Sequence, residues 1–163
     1  MRTVEEPHHV FLLPGMFGFG RLAGYDYFKH LRRALVDRFA DRGAEVVVEA
    51  VSVSPTASIR RRAARVARAV HAGVSHDAGP IHLVGHSTGG LDARLLMSPT
   101  TYIRDLDPEL LAWRDRVKAV VSVNTPHHGT PLAGFFATVS GTRLLYAISL
   151  LTVTTLSVGR PGL

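Results

Sequence analysis

The chain has no cysteine, which excludes a disulfide scaffold, thiolate metal ligation and a cysteine nucleophile and leaves the redox compartment open. It also lacks a leader pattern. Met1-Arg2-Thr3-Val4-Glu5-Glu6-Pro7 has no continuous apolar stretch of the secretory kind, so a cytoplasmic protein is expected, or one whose N-terminus lies past such a signal. The most apolar run, Leu144 to Val158, is shorter than the ~20 residues a membrane span needs and directly follows Arg143. A buried or cap helix is expected there. Histidines are present, but His8-His9, His82, His86 and His127-His128 lack the helical i, i+4 spacing of a zinc-binding H-E-x-x-H; His82 and His86 are four apart, yet on a strand and its turn and with Leu83 in place of the Glu. No metal and no cofactor is expected.

Acidic residues are the scarcer sign, 13 against 19 basic, which leaves a net charge of +6. Much of the excess sits in Arg60-Arg61-Arg62, Arg65 and Arg68. Such a cluster can mark a nucleic-acid or anionic-membrane partner. Yet Ile59, Ala63, Val66 and Val70 recur through the same segment at helical spacing, which makes the arginines the wet face of an amphipathic helix. No aromatic residue interleaves with them to stack on bases, so no nucleic acid is expected. Contact with an anionic lipid surface, through this helix and the Leu144–Val158 stretch, is the alternative use of the same residues.

With 163 residues and 46% hydrophobic content, the chain can bury one core as a single domain. Four aliphatic runs predict strands: His9–Leu13, Glu45–Val53, Ile81–Val84 and Lys118–Val123. Between them lie helical patterns. Tyr27, Phe28, Leu31, Leu35 and Phe39 share one face of a helix over Tyr25–Phe39, closed by Asp41-Arg42-Gly43. The arginine-rich helix has Ser58 as its N-cap and Gly73 near its end. A helix follows Ile81–Val84 over Leu91–Met97, and a short one spans Pro108–Trp113. Strands and helices alternating in this way predict an α/β fold with a mainly parallel sheet and flanking helices. The near-continuous hydrophobicity of the strands suggests burial on both faces.

The most informative stretch is Ile81-His82-Leu83-Val84-Gly85-His86-Ser87-Thr88-Gly89-Gly90-Leu91. An apolar strand ends in G-x-S-x-G and runs straight into a helix, the pattern of a nucleophile elbow. To project a serine hydroxyl into a cleft, the backbone must reverse sharply, and the residues two positions to either side must be small. Gly85 and Gly89 meet that need, and Gly90 lets the new helix pack close to the sheet. Ser87 is therefore the candidate catalytic nucleophile.

Ligands of open α/β sheets bind beyond the carboxyl ends of the strands, and three loops of interest leave the sheet there. Pro14-Gly15-Met16-Phe17-Gly18-Phe19-Gly20 follows the first strand, the elbow follows the third, and Asn124-Thr125-Pro126-His127-His128-Gly129-Thr130-Pro131 follows the fourth. The first loop has the wrong spacing for a dinucleotide fingerprint, and Met16, Phe17 and Phe19 are too bulky for one. It reads better as an oxyanion loop: the backbone N–H groups of Met16 and Thr88 would hold the negative oxygen of a tetrahedral intermediate. Phe17 and Phe19 would line an apolar acyl pocket.

Three segments in order resemble the N-terminal part of bacterial lipases and esterases of the α/β-hydrolase superfamily. They are Leu12–Phe19, His82–Arg94 and Ser122–Ala133, the last resembling a T-P-H-x-G-T-P loop. Many relatives have histidine where Pro14 stands. The resemblance implies a serine carboxylic-ester hydrolase acting through a Ser87 acyl-enzyme on a small-molecule ester or lipid. It also implies a triad in the order serine, Asp or Glu, histidine. Here the carboxylates after Ser87 are Asp92, Asp105, Asp107, Glu109 and Asp115, and the last histidine is His128. The resemblance therefore implies a partial α/β-hydrolase fold whose C-terminal strands, with the acid and base, are missing. Residues 1–133 would be the N-terminal part of the core, and 134–163 the start of a cap or lid. His127 and His128 match a loop-shaping position of the family, His86 is expected to pack, and Asp92 and Arg94 to bond locally. Two alternatives stand beside this reading: an inactive remnant or binding module, and an acyltransferase, which an elbow does not distinguish from a hydrolase.

Overall fold

Four short aliphatic runs form one all-parallel sheet in the order β2-β1-β3-β4. The strands are β1 His8–Leu13, β2 Val46–Ala50, β3 Ile81–His86 and β4 Val117–Val123. The computed structural model describes residues 6–16, 28–54, 57–100, 102–104, 106–136 and 138–158. A tight turn cannot join parallel neighbours, so each connection carries a helix. Helix α1 (Lys29–Ala40) links β1 to β2 and α2 (Ile59–Gly73) links β2 to β3. Helix α3 (Thr88–Met97) and a 3-10 helix (Pro108–Arg116) link β3 to β4, and α4 (Pro131–Phe136) and α5 (Val139–Val158) follow. This is the α/β arrangement expected from the alternation of periods.

Local chemistry sets the element ends. The Ser58 hydroxyl accepts the Arg61 N–H at 3.4 Å and opens α2. At the end of α1 the Asp41 N–H still bonds the Asp37 carbonyl, and Gly43, at φ +70°, turns the chain out of the helix. The expected start of α1 at Tyr25 falls outside the described residues.

The sheet is covered on two sides. Phe11, Leu13, Ile81 and Leu83 pack with Ala63, Val66, Ala67 and Val70 of α2, Ala93 and Leu96 of α3, and Trp113. On the other side Val10, Leu12 and Phe28 meet Leu35, Phe39, Val46 and Val48. Burial on both faces holds for the central strand β1 but not for β4, where Val120, Val121 and Val123 are 42%, 46% and 41% exposed. Among the described residues that strand has a partner on one side only, and its faces are left partly open. Of the buried or cap helix expected over Leu144–Val158, the described side chains of α5 are not buried: Tyr146, Leu150 and Leu151 are 63–66% exposed. No described helix is long and apolar enough to cross a membrane.

The amino ends of the strands are stitched by polar groups. His9 Nε2 meets the Asp77 carboxylate at 2.8 Å, and Arg116 reaches Asp77 at 3.0 Å and the Gly79 carbonyl at 2.7 Å. His8 and His82 stack and share a 2.9 Å hydrogen bond. Burial, then the neighbouring His8, holds His82 below the usual imidazole range. These histidines lie at the end of the sheet away from Ser87.

Candidate active site

Strands β1, β3 and β4 end level with one another: Leu13 pairs with Gly85, Gly85 with Ser122, and His86 with Val123. The loops that follow them therefore leave the sheet at one rim. Contacts between the loops are closer than shared position alone requires. A Cβ built on Gly15 would lie 2.6 Å from Ser87 Cβ and 3.1 Å from Ser87 Oγ. One on Gly89 would overlap the Leu13 carbonyl oxygen, and one on Gly90 would overlap the Thr125 side chain. Gly85 sits against the backbone of Gly89 and Gly90 within the bend itself. The three loops thus pack on one another through backbone that only glycine can offer.

Ser87 occupies the centre of this arrangement at φ 54°, ψ −124°. A residue with a Cβ is held in such a region only by its surroundings. Here the Ser87 N–H donates to the Val123 carbonyl at 2.9 Å, which ties the bend to the end of β4. The Ser87 carbonyl accepts the Gly90 N–H at 3.2 Å, and α3 begins at the next residue, Thr88. The serine is half-buried, neither sealed in the core nor on a flat helix face. Asn124, the first residue after β4, also has positive φ, at 50°.

Met16 lies half-buried at a bend, one residue beyond the glycine that touches Ser87. Thr88 opens α3, where the first N–H groups of a helix have no intrahelical acceptor. Its hydroxyl is buried and unpaired among the described residues. Phe17 and Phe19 lie outside the described residues. His127 and His128 are on the same rim, yet neither ring bonds to Ser87 among the described residues. The His127 carbonyl instead accepts Arg94 Nη1 at 3.3 Å.

Two residues read differently in the structure. Arg62 is not on the wet face of α2 but is 2% exposed, and Asp92, also buried, pairs with it rather than with Arg94. Arg62 Nε and Nη2 both donate to the Asp92 carboxylate, at 3.0 and 2.7 Å. Nη2 also donates to the Pro14 carbonyl at 2.6 Å, and Nη1 to that of Ser54 at 3.4 Å. Burial pushes the Asp92 carboxyl up to about 6 against the opposing pull of Arg62, so the pair is ionised at neutral pH. A signal was there to find. Arg62 stands four residues before Val66 and eight before Val70, on the apolar stripe, while Arg61 and Arg65 fall off it and are exposed. The outward arginines line a cleft of about 560 Å³ with Ser58, Ile103 and Arg104, which does not reach Ser87.

No family model matches the chain. Relatives exist among characterised proteins. The chain is 30% identical over 133 residues to a triacylglycerol lipase of Pseudomonas fragi, covering 80% of this chain and 39% of that lipase. It is 32% identical over 125 residues to a triacylglycerol lipase of Vibrio cholerae serotype O1, covering 76% of this chain and 34% of the relative. The chain therefore spans less than two-fifths of the length of either lipase.

Proposed function

From this sequence kinship with triacylglycerol lipases, we propose that the protein is a serine carboxylic-ester hydrolase with Ser87 as its nucleophile. The observation that carries the reading is the bend at Ser87, positive in φ and packed between the loops after β1 and β4. Such a bend presents a side chain at the rim while keeping two sets of backbone N–H groups nearby.

In this reading Ser87 Oγ attacks the ester carbonyl carbon as a general base takes its proton. The carbonyl oxygen becomes an oxyanion, held by the N–H groups of Met16 and Thr88. Collapse expels the alcohol, which takes up the proton, and leaves an acyl group on Ser87. Water, deprotonated by the same base, then releases the carboxylic acid and restores the serine. A serine hydroxyl needs that base and an acid to orient it, and no described histidine bonds to Ser87. Both are assigned to protein sequence beyond the segment that matches the lipases. Phe17 and Phe19 are assigned to the acyl pocket, and residues 134–163, with the exposed apolar side chains of α5, to a cap. The substrates are esters of apolar acyl groups, with lipids among them.

The test is hydrolysis of p-nitrophenyl esters of graded acyl length by the protein made at the full length of its gene. Turnover that Ser87→Ala abolishes supports the assignment. Turnover unaffected by Ser87→Ala refutes it, and a well-folded protein with no turnover favours a non-catalytic module on the same scaffold.

A further inference from the structure

We propose that Arg62 is the positioning residue of the oxyanion hole, an inference that rests on the hydrolase reading above. One buried guanidinium joins three chain segments through hydrogen bonds: the Pro14 carbonyl after β1, the Ser54 carbonyl after β2, and Asp92 on α3. The two proposed donors sit on either side of this clamp. The Met16 N–H is two residues beyond Pro14, and the Thr88 N–H is four residues before Asp92, about one helical turn.

Peptide planarity gives the clamp its effect. Fixing the Pro14 carbonyl fixes the plane of the Pro14–Gly15 peptide, and with it the direction in which the chain approaches Ser87. The same carbonyl lies against Gly89, where a Cβ would fall 3.0 Å from it. It is thus confined by the start of α3 on one side and by Arg62 on the other. Meanwhile the two-pronged bond to Asp92 sets the position of α3 relative to α2. The separation of the two amide hydrogens is then decided by a planar, charged fork and not by the flexibility of a loop.

Stability alone is a weak reason for such a pair. Desolvating both charges is costly, and apolar residues of similar volume often serve the fold as well. Geometry is the stronger reason, since an oxyanion hole works only if its donors are already in place. Displacement by ~1 Å can cost about a hundredfold in rate.

The decisive variant is Arg62→Met with Asp92→Leu, made in the full-length protein. It removes both charges together and leaves no orphaned ion. The expected result is a folded protein whose kcat falls about ten- to a hundredfold while KM stays within about twofold. Affinity for a trifluoromethyl ketone, which forms a tetrahedral oxyanion on the serine, should fall by the same factor as kcat. If the double variant does not fold, Arg62→Lys gives the same test, because one ammonium cannot hold both Pro14 and the two-pronged Asp92 contact. A folded variant with unchanged kcat and unchanged ketone affinity overturns the proposal. Absence of turnover in the wild-type protein overturns the hydrolase reading instead, so the two failures are distinct.

Discussion

Replacing Ser87 by glycine is expected to stabilise the protein while ending its proposed chemistry. At φ 54°, ψ −124° the backbone of residue 87 lies where glycine moves freely and residues with a Cβ do not. Holding a non-glycine residue there costs about 1–3 kcal/mol. Glycine relieves that strain but frees the unfolded chain, which returns about 0.5–1 kcal/mol of the gain. The Ser87 hydroxyl makes no hydrogen bond among the described residues, so little else is lost. The net gain is about 1 kcal/mol, or about 2–4 °C in Tm for a chain of this size. Ser87→Ala is the control: it removes the same hydroxyl but keeps the Cβ and the strain, and should melt close to the wild type. Thermal unfolding of the three proteins, followed by circular dichroism, reads the difference directly. If the glycine variant is no more stable than the alanine variant, the bend stores no strain and the elbow argument fails.

Gly15→Ala places a Cβ 2.6 Å from Ser87 Cβ, so the first loop must retreat; ester turnover should fall about ten- to a hundredfold, and unchanged steady-state kinetics would contradict the packing. The Asp92 carboxyl is raised from 3.8 to about 6 in the fold, so its contribution to stability is full below pH 3.8 and is lost as pH rises to about 6, a span worth about 3 kcal/mol. Urea unfolding of Asp92→Asn between pH 4 and 6.5 should lack that decline, and a slope equal to the wild type's would refute the raised value. Leu83→Ala, in the closed core, should cost about 2–5 kcal/mol, whereas Val120→Thr, on the half-open β4, should stay within about 0.5 kcal/mol; equal losses at the two positions would show β4 to be covered in solution.

The architecture was legible because its determinants are local. Aliphatic runs, turn residues and the Ser58 cap lie within a few positions of what they control, and the four strands and their helices appeared within a few residues of their expected places. The meeting of three loops at one rim was also legible, since a parallel sheet brings its carboxyl ends together whatever the details. Contacts between distant segments were not. Nothing in the chain's periodicity says that the buried guanidinium of Arg62 would find Pro14, 48 residues earlier, and Asp92, 30 residues later. Its sign of charge argued for solvent, its place on the apolar stripe for the core, and the carboxylate of Asp92 settled the conflict. Likewise, the exposure of β4 and α5 depends on what does or does not cover them, which hydrophobicity alone does not report.

The most direct test of the account is phosphonylation mapped to a residue. The full-length protein is treated with a fluorophosphonate, digested, and its peptides sequenced by mass spectrometry. An activated serine at the bend predicts one stoichiometric adduct, on Ser87, with none in Ser87→Ala. An adduct on another serine, or ester turnover by a protein in which Ser87 stays unmodified, would contradict it.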